Sequence, residues 1–141
     1  MKSVAGVLLL AALCVPAVAQ QSPSQISLAD AKKLVMAALP SETKQLPKFE
    51  LLHWVEKGDP LNSQFYFFTG VWNNPNPGSV VTGNYAVDKE TGNVWNAPSA
   101  CDELTNPGVR KLQTEIRTRI GLSDAAYRKK KPTCPLETQS K

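Results

Sequence analysis

Apolar residues fall into different rhythms along the chain, and each rhythm predicts a different element. Beyond an almost unbroken apolar run from Val4 to Val15, the positions Leu28, Ala31, Leu34, Val35, Ala38 and Leu39 recur three and four apart, while Asp30, Lys32 and Lys33 point elsewhere. That spacing puts one apolar stripe on a helix of about three turns. Ser27 is its expected N-cap, with Asp30 three positions on, and Pro40 stops it because the residue before proline resists the helical region. Val109, Leu112, Ile116 and Ile120 form a second stripe of the same period. Asn106 as N-cap, Pro107 at the first helical position and Gly121 just past the end bracket that helix.

Between the two helices the pattern becomes that of antiparallel strands. Gln64 to Asn73 is aromatic and β-branched, and Ser79 to Asp88 is a second long strand. The Asn73–Gly78 segment, with two prolines, is a loop. Lys89-Glu90-Thr91-Gly92 turns the chain into a short strand around Asn93 to Asn96. Phe49 to Lys57 is apolar and partly alternating; it fits a strand, and nearly as well a helix. Gly58-Asp59-Pro60 then turns. A polar loop carrying Cys101 precedes the second helix, and Ser123-Asp124 opens a short basic helix or turn through Lys131. The order helix, three or four strands, helix, tail predicts one α+β domain over residues 27–141, behind a flexible leader at 20–26.

The first apolar run is an address rather than structure. Met1-Lys2-Ser3 supplies a positive start, and Ala17-Val18-Ala19 offers the small residues of a cleavage site, so residues 1–19 read as a secretory signal peptide. At about 12 residues the run is short of the ~20 that a membrane span requires, and no other stretch spans a membrane. Leu13 stands where a lipoprotein signal needs a small residue before its cysteine, which argues against lipidation of Cys14. Cleavage removes Cys14 and leaves Cys101 and Cys134, 33 residues apart, without CxxC spacing. In the periplasm or outside the cell, such a pair closes one disulfide.

Composition excludes some chemistry and charge adds a direction. One histidine in 141 residues rules out His-rich metal sites and His-pair catalysis. The formal charge of +4 falls to +3 without Lys2, and it is unevenly spread. Residues 20–103 carry six basic and nine acidic side chains (−3), and residues 104–141 nine basic and three acidic (+6). Arg110 and Arg117 lie seven apart on one helical face, and Arg128-Lys129-Lys130-Lys131 forms a dense cluster. A charge run is most simply a solvated face; the functional reading is a footprint for an acidic protein or an anionic envelope polymer. Secretion and the lack of a nucleic-acid-binding motif argue against nucleic acid.

Candidate chemistry is sparse. His53 sits between Leu52 and Trp54 and reads as a half-buried strand histidine without a catalytic companion. Carboxylates pair at Asp102 with Glu103 and at Asp88 with Glu90. Asp102 and Glu103, with His53, are the nameable candidates for an enzyme acting on envelope polymer through carboxylates that form no motif. Asp88-Lys89-Glu90-Thr91-Gly92-Asn93 has the look of a calcium loop, but glycine is fifth rather than sixth and Ser99 stands where a glutamate is needed, so it reads as a hairpin turn. No cofactor or metal set is read. The aromatic strand is two-sided: Phe65 and Phe67 face one way, Tyr66, Phe68 and Trp72 the other. The plainer reading covers each face with one helix. The functional reading leaves an aromatic patch, with Trp72 beside the Asn/Pro loop as its anchor.

The helix segment Ala31-Lys32-Lys33-Leu34-Val35 and the hairpin Tyr85-Ala86-Val87-Asp88-Lys89-Glu90-Thr91-Gly92-Asn93-Val94-Trp95 resemble small secreted bacterial α+β proteins of the cystatin or NTF2-like immunity type and of the PepSY type, over roughly residues 27–97. The resemblance implies a non-enzymatic periplasmic protein that binds a partner, such as a toxin or hydrolase that it inhibits. The expectation is therefore a secreted binding or inhibitory module that meets an acidic partner through a basic C-terminal face: Arg110, Arg117, Arg128, Lys129, Lys130 and Lys131, with Trp72. The alternatives are a carboxylate-dependent enzyme of the envelope and an envelope structural protein.

Overall fold

A computed structural model of the chain describes residues 24–73, 78–97, 101–130 and 133–136. The expected signal peptide with Cys14, the first part of the leader, the middle of the Asn/Pro loop and Lys131 lie outside the described residues. The elements run α1 (Leu28–Ala38), α2 (Ser41–Lys44), β1 (Phe49–Trp54), a 3-10 turn (Pro60–Ser63), β2 (Phe65–Asn73), β3 (Ser79–Asp88), β4 (Val94–Asn96), β5 (Asp102–Glu103), α3 (Pro107–Arg119) and α4 (Asp124–Lys129). This is an α+β architecture with one five-stranded antiparallel sheet in the order β1-β2-β3-β4-β5.

The helix ends follow the chemistry of their caps. The Ser27 hydroxyl accepts from the Asp30 amide at 3.1 Å and donates to the Asp30 carboxylate at 2.7 Å, and the helix stops before Pro40. The Asn106 side chain accepts from the Val109 amide at 2.9 Å, with Pro107 first in α3. Ser123 caps α4 through the Ala126 amide at 3.2 Å. The segment 49–57, open between helix and strand on sequence, is strand through Trp54. Residues 24–26, expected to belong to a flexible leader, pack into the fold. Ile26 is 1% exposed, its amide donates to the Lys89 carbonyl at 2.8 Å, and the Ser24 amide reaches the Ile120 carbonyl, so an apolar side chain draws residues 24–26 into the fold.

The register settles which residues share a face. Trp54 lies opposite Phe67, His53 opposite Phe68, and Leu51 opposite Gly70; Phe67 in turn pairs with Ala86 and Phe68 with Tyr85. Side chains of directly paired residues project to the same side. One face therefore carries Leu51, Phe68, Tyr85, Val87 and Val94, and it packs against Ala31, Leu34 and Val35 of α1 and Val109 and Ile116 of α3. Both long helices lie on this face and touch one another, which corrects the expectation of one helix per face. The second face carries Phe65, Phe67, Ala86 and Trp95. It is covered by Leu61 of the 3-10 turn and by Cys134 of the tail.

The tail reaches that face because Cys134 is bonded to Cys101, with Cα atoms 5.7 Å apart. The pairing expected from cysteine count is present, and it does more than tie the tail to the loop before α3. It supplies the second face with a cover that neither long helix provides. Farther along the sheet, the register slips between Gly70 and Val71, leaving Thr82 as the extra residue of a bulge in β3.

Candidate functional site

The basic C-terminal third divides, in the structure, into residues used by the fold and residues left at the surface. Arg117 belongs to the first group. Its Nε donates to the Thr91 carbonyl at 2.6 Å and its Nη2 to Asn93 Oδ1 at 2.7 Å, while the guanidinium lies 3.5 Å from the Tyr127 ring centroid. One helical turn earlier, Gln113 Nε2 donates to the Gly92 carbonyl at 2.9 Å. Residues four apart on a helix stand above one another, so Gln113 and Arg117 together grip the backbone of the β3–β4 turn. Lys130 pairs with Glu90 of the same turn, and Arg119 pairs with Asp30 of α1 at 2.6 Å. Arg110, Arg128 and Lys129 are exposed and form no ion pair with a described residue.

At the centre of the first group is Asn93, which the sequence reading passed over as a turn residue. Its side chain is fully buried. Nδ2 donates to Glu103 Oε1 at 3.0 Å, and Oδ1 accepts from Arg117 and from the Tyr127 hydroxyl at 3.2 Å. The preceding turn is an Asx-type turn: Asp88 Oδ1 accepts from the Glu90 and Thr91 amides at 2.8 and 2.7 Å, and Gly92 takes φ +72°. The Asp88 carboxylate thus holds its own turn together, as the hairpin reading expects. Among the described residues, no group of three or more His, Cys, Asp or Glu side chains is placed to hold a metal ion.

The groups nominated for an envelope enzyme are not brought together. His53 is on β1 and Asp102 and Glu103 are on β5, at opposite edges of the sheet, four strand spacings or about 19 Å apart. His53 is more exposed than the half-buried residue expected. Its ring packs 5.6 Å from that of Phe68 and 6.0 Å from that of Tyr66. Desolvation there, and secondarily the Lys89 ammonium, hold its pKa below the usual 6.5.

The aromatic residues give a second surface. Trp72 lies on the helix-packed face opposite Phe49 and Val80 and is half-buried, which limits it as an anchor. The accessible indole is Trp54, 39% exposed on the other face, stacked on Phe67 with centroids 4.9 Å apart and an interplanar angle of 23°. Two residues before it on the same face, Leu52 is 47% exposed. Trp54 and Phe67 line a groove of about 210 Å³, with Leu61 and Ala97 at its base, Leu136 of the tail on one wall, and Glu56 and Asp59 also lining it. Asp59 Oδ1 accepts from the Leu61 amide at 2.8 Å, which fixes the chain around the groove. The period-two alternation of β1 and β2 carried the signal for this face. What hid the groove is that its lining comes from five separate stretches of the chain, from Trp54 to Leu136.

No family model matches the chain, and no curated protein matches it significantly. Among solved structures, the chain is similar to one in the structure of a type VI secretion system effector-immunity complex from Pseudomonas protegens. The two are 27% identical, the match covers 79% of this chain and 90% of the other, and the TM-score is 0.59.

Proposed function

We propose that the chain is an immunity-type binding module: an exported, non-enzymatic protein that captures a protein partner and holds it inactive. The observation that carries this reading is the likeness to a chain of an effector-immunity complex, at 27% identity over 79% of the sequence. The Cys101–Cys134 disulfide fits an oxidising compartment, in keeping with the signal peptide read at residues 1–19. The finer likeness to a cystatin, NTF2-like or PepSY type belongs to the same proposal.

The proposed partner is acidic where it meets the C-terminal third. Arg110, Arg128 and Lys129 are exposed cations that supply this face, together with Lys131, two residues after Lys129 and outside the described residues. Arg117 and Lys130 support it from beneath through their bonds to the β3–β4 turn. Surface charges of this kind act chiefly on the encounter rate. The test mixes the oxidised protein with the secreted product of a neighbouring gene and measures complex formation by size exclusion and association by biolayer interferometry. A stoichiometric complex is expected, with the association rate of the R110E/R128E/K129E variant reduced about tenfold or more at low salt. Absence of a complex would overturn the binding reading. An unchanged association rate would remove the basic face from it.

A further inference from the structure

We infer that the groove beside Trp54 receives a single basic side chain, lysine or arginine, from the protein partner. The inference rests on the reading of the chain as a partner-binding module and gives that module a second contact, on the sheet face opposite its two long helices.

Size comes first. At about 210 Å³ the groove is smaller than the ~300–1,000 Å³ of sites that enclose a small-molecule ligand. It suits one long side chain. Its chemistry then selects which one. Trp54 and Phe67 offer stacked aromatic carbon, and Leu61 and Leu136 add aliphatic surface, on which the methylene stem of lysine or arginine can lie. Glu56 and Asp59 line the same groove, and neither forms an ion pair with a described residue; the ion pairs among those residues are Arg119–Asp30 and Lys130–Glu90. An apolar side chain would desolvate the two carboxylates without compensating them, and an acidic one would be repelled. A cation over an indole, with carboxylates beside it, gains from both. The charge of this corner is opposite to that of the chain as a whole, which is +4.

The surroundings are those of an interface centre. Leu52, two residues along the same face of β1, is 47% exposed, and Leu136 is 38% exposed, so apolar surface extends beyond the groove. A side chain seated there would be shielded from water by the partner surface resting on Leu52 and Leu136, the arrangement in which a buried arginine becomes a dominant contact. The wall that Leu136 supplies is held in place by the disulfide two residues before it.

The test titrates the 15N-labelled, oxidised protein with N-acetyl-arginine methylamide, following the Trp54 indole N–H and the amides of Phe67 and Leu136 by NMR. The neutral isostere N-acetyl-citrulline methylamide and N-acetyl-norleucine methylamide serve as comparisons. Saturable, millimolar binding of the arginine probe is expected. It should be about tenfold weaker for citrulline and for the E56Q/D59N variant, in which the carboxamide oxygen introduced by D59N can still accept from the Leu61 amide. Equal binding of the three probes, or none, would overturn the inference. So would a Trp54 signal that shifts with protein concentration alone, since a second copy would then fill the groove. In the partner complex, E56Q/D59N is expected to raise the dissociation rate about tenfold. A complex indifferent to that variant would remove the groove and leave the partner-binding reading intact. Probe binding by a protein that forms no partner complex would do the reverse.

Discussion

Truncating Asn93 to alanine tests whether the β3–β4 turn is fastened to the C-terminal third in the way the structure shows. The side chain is fully buried and joins three other elements: Glu103 of β5, Arg117 of α3 and Tyr127 of α4, at 3.0, 2.7 and 3.2 Å. Two of these partners carry formal charge. A hydrogen bond to a charged group contributes about 1.5–3 kcal/mol and a neutral one about 1. Glu103 is exposed and Arg117 keeps its bond to the Thr91 carbonyl, so both recover part of the loss. The net cost of Asn93→Ala is therefore expected to be about 3 kcal/mol, lowering Tm by roughly 10 °C for a domain of this size. Urea unfolding followed by tryptophan fluorescence gives the free energy. A cycle with Arg117→Ala isolates the pair, with an expected coupling of about 1.5–2 kcal/mol. A cost below about 1 kcal/mol, or a coupling near zero, would refute the account of Asn93 as the joint and of Arg117 as its main partner.

Three further outcomes follow from individual contacts. Replacing Cys101 and Cys134 with serine removes a 33-residue closure, for which chain entropy alone gives about 4 kcal/mol; Tm should fall by roughly 10–15 °C in calorimetry, and a change of only a degree or two would contradict that estimate. Burial alone would raise the Asp30 pKa, but the Ser27 hydroxyl and Arg119 outweigh it and hold the carboxyl below its usual 3.8. The stability Asp30 contributes is thus present above pH 3.8 and lost as pH falls through its lower folded-state value, so Asp30→Asn should flatten acid unfolding in that window and an unchanged profile would speak against it. Asn106 caps α3 and also donates to the Ala37 carbonyl of α1 at 3.0 Å, so Asn106→Ala should cost about 2 kcal/mol in urea unfolding, more than a cap alone.

Local chemistry made most elements readable in advance. Ser79–Asp88 is a strand over the residues expected, and Ser27, Asn106 and Ser123 each cap the helix they precede, because alternation and capping depend on residues within a few positions. Features that depend on distant partners were not readable. β5 is two polar residues that are a strand only because Trp95 and Asn96 pair with them. The four-residue α2, from Ser41 to Lys44, is too short for an apolar period to show. The same limit applies to the candidate surfaces. Arg117 looks like a surface cation in any helical projection. Nothing local says that Thr91 and Asn93 will stand beside it, though the polar Gln113, 5% exposed four residues earlier, marks that side of the helix as buried.

The two-sided sheet explains why the disulfide and the exposed indole occur together. Four aromatic residues in a row, Phe65 to Phe68, give β2 two apolar faces, and both long helices are spent on one of them. Covering the second face with a third helix would bury Trp54 and Leu52 as well. The described part of the tail covers less: Cys134 joins the cluster of Phe65, Ala86 and Trp95, and Leu136 lines the groove beside Trp54 while leaving Trp54 and Leu52 exposed. Ordering a chain segment costs conformational entropy, which is why a covalent tie is effective here. The result is a sheet face that is half closed: sealed beneath Cys134, and open along Leu52 and Trp54 with Glu56 and Asp59 at its end. The proposed basic face and the proposed groove then divide between them two tasks that one surface performs poorly. Exposed cations on α3 and α4 act over a Debye length and set how often partners meet, whereas a desolvated pocket acts only on contact and sets how long they stay together.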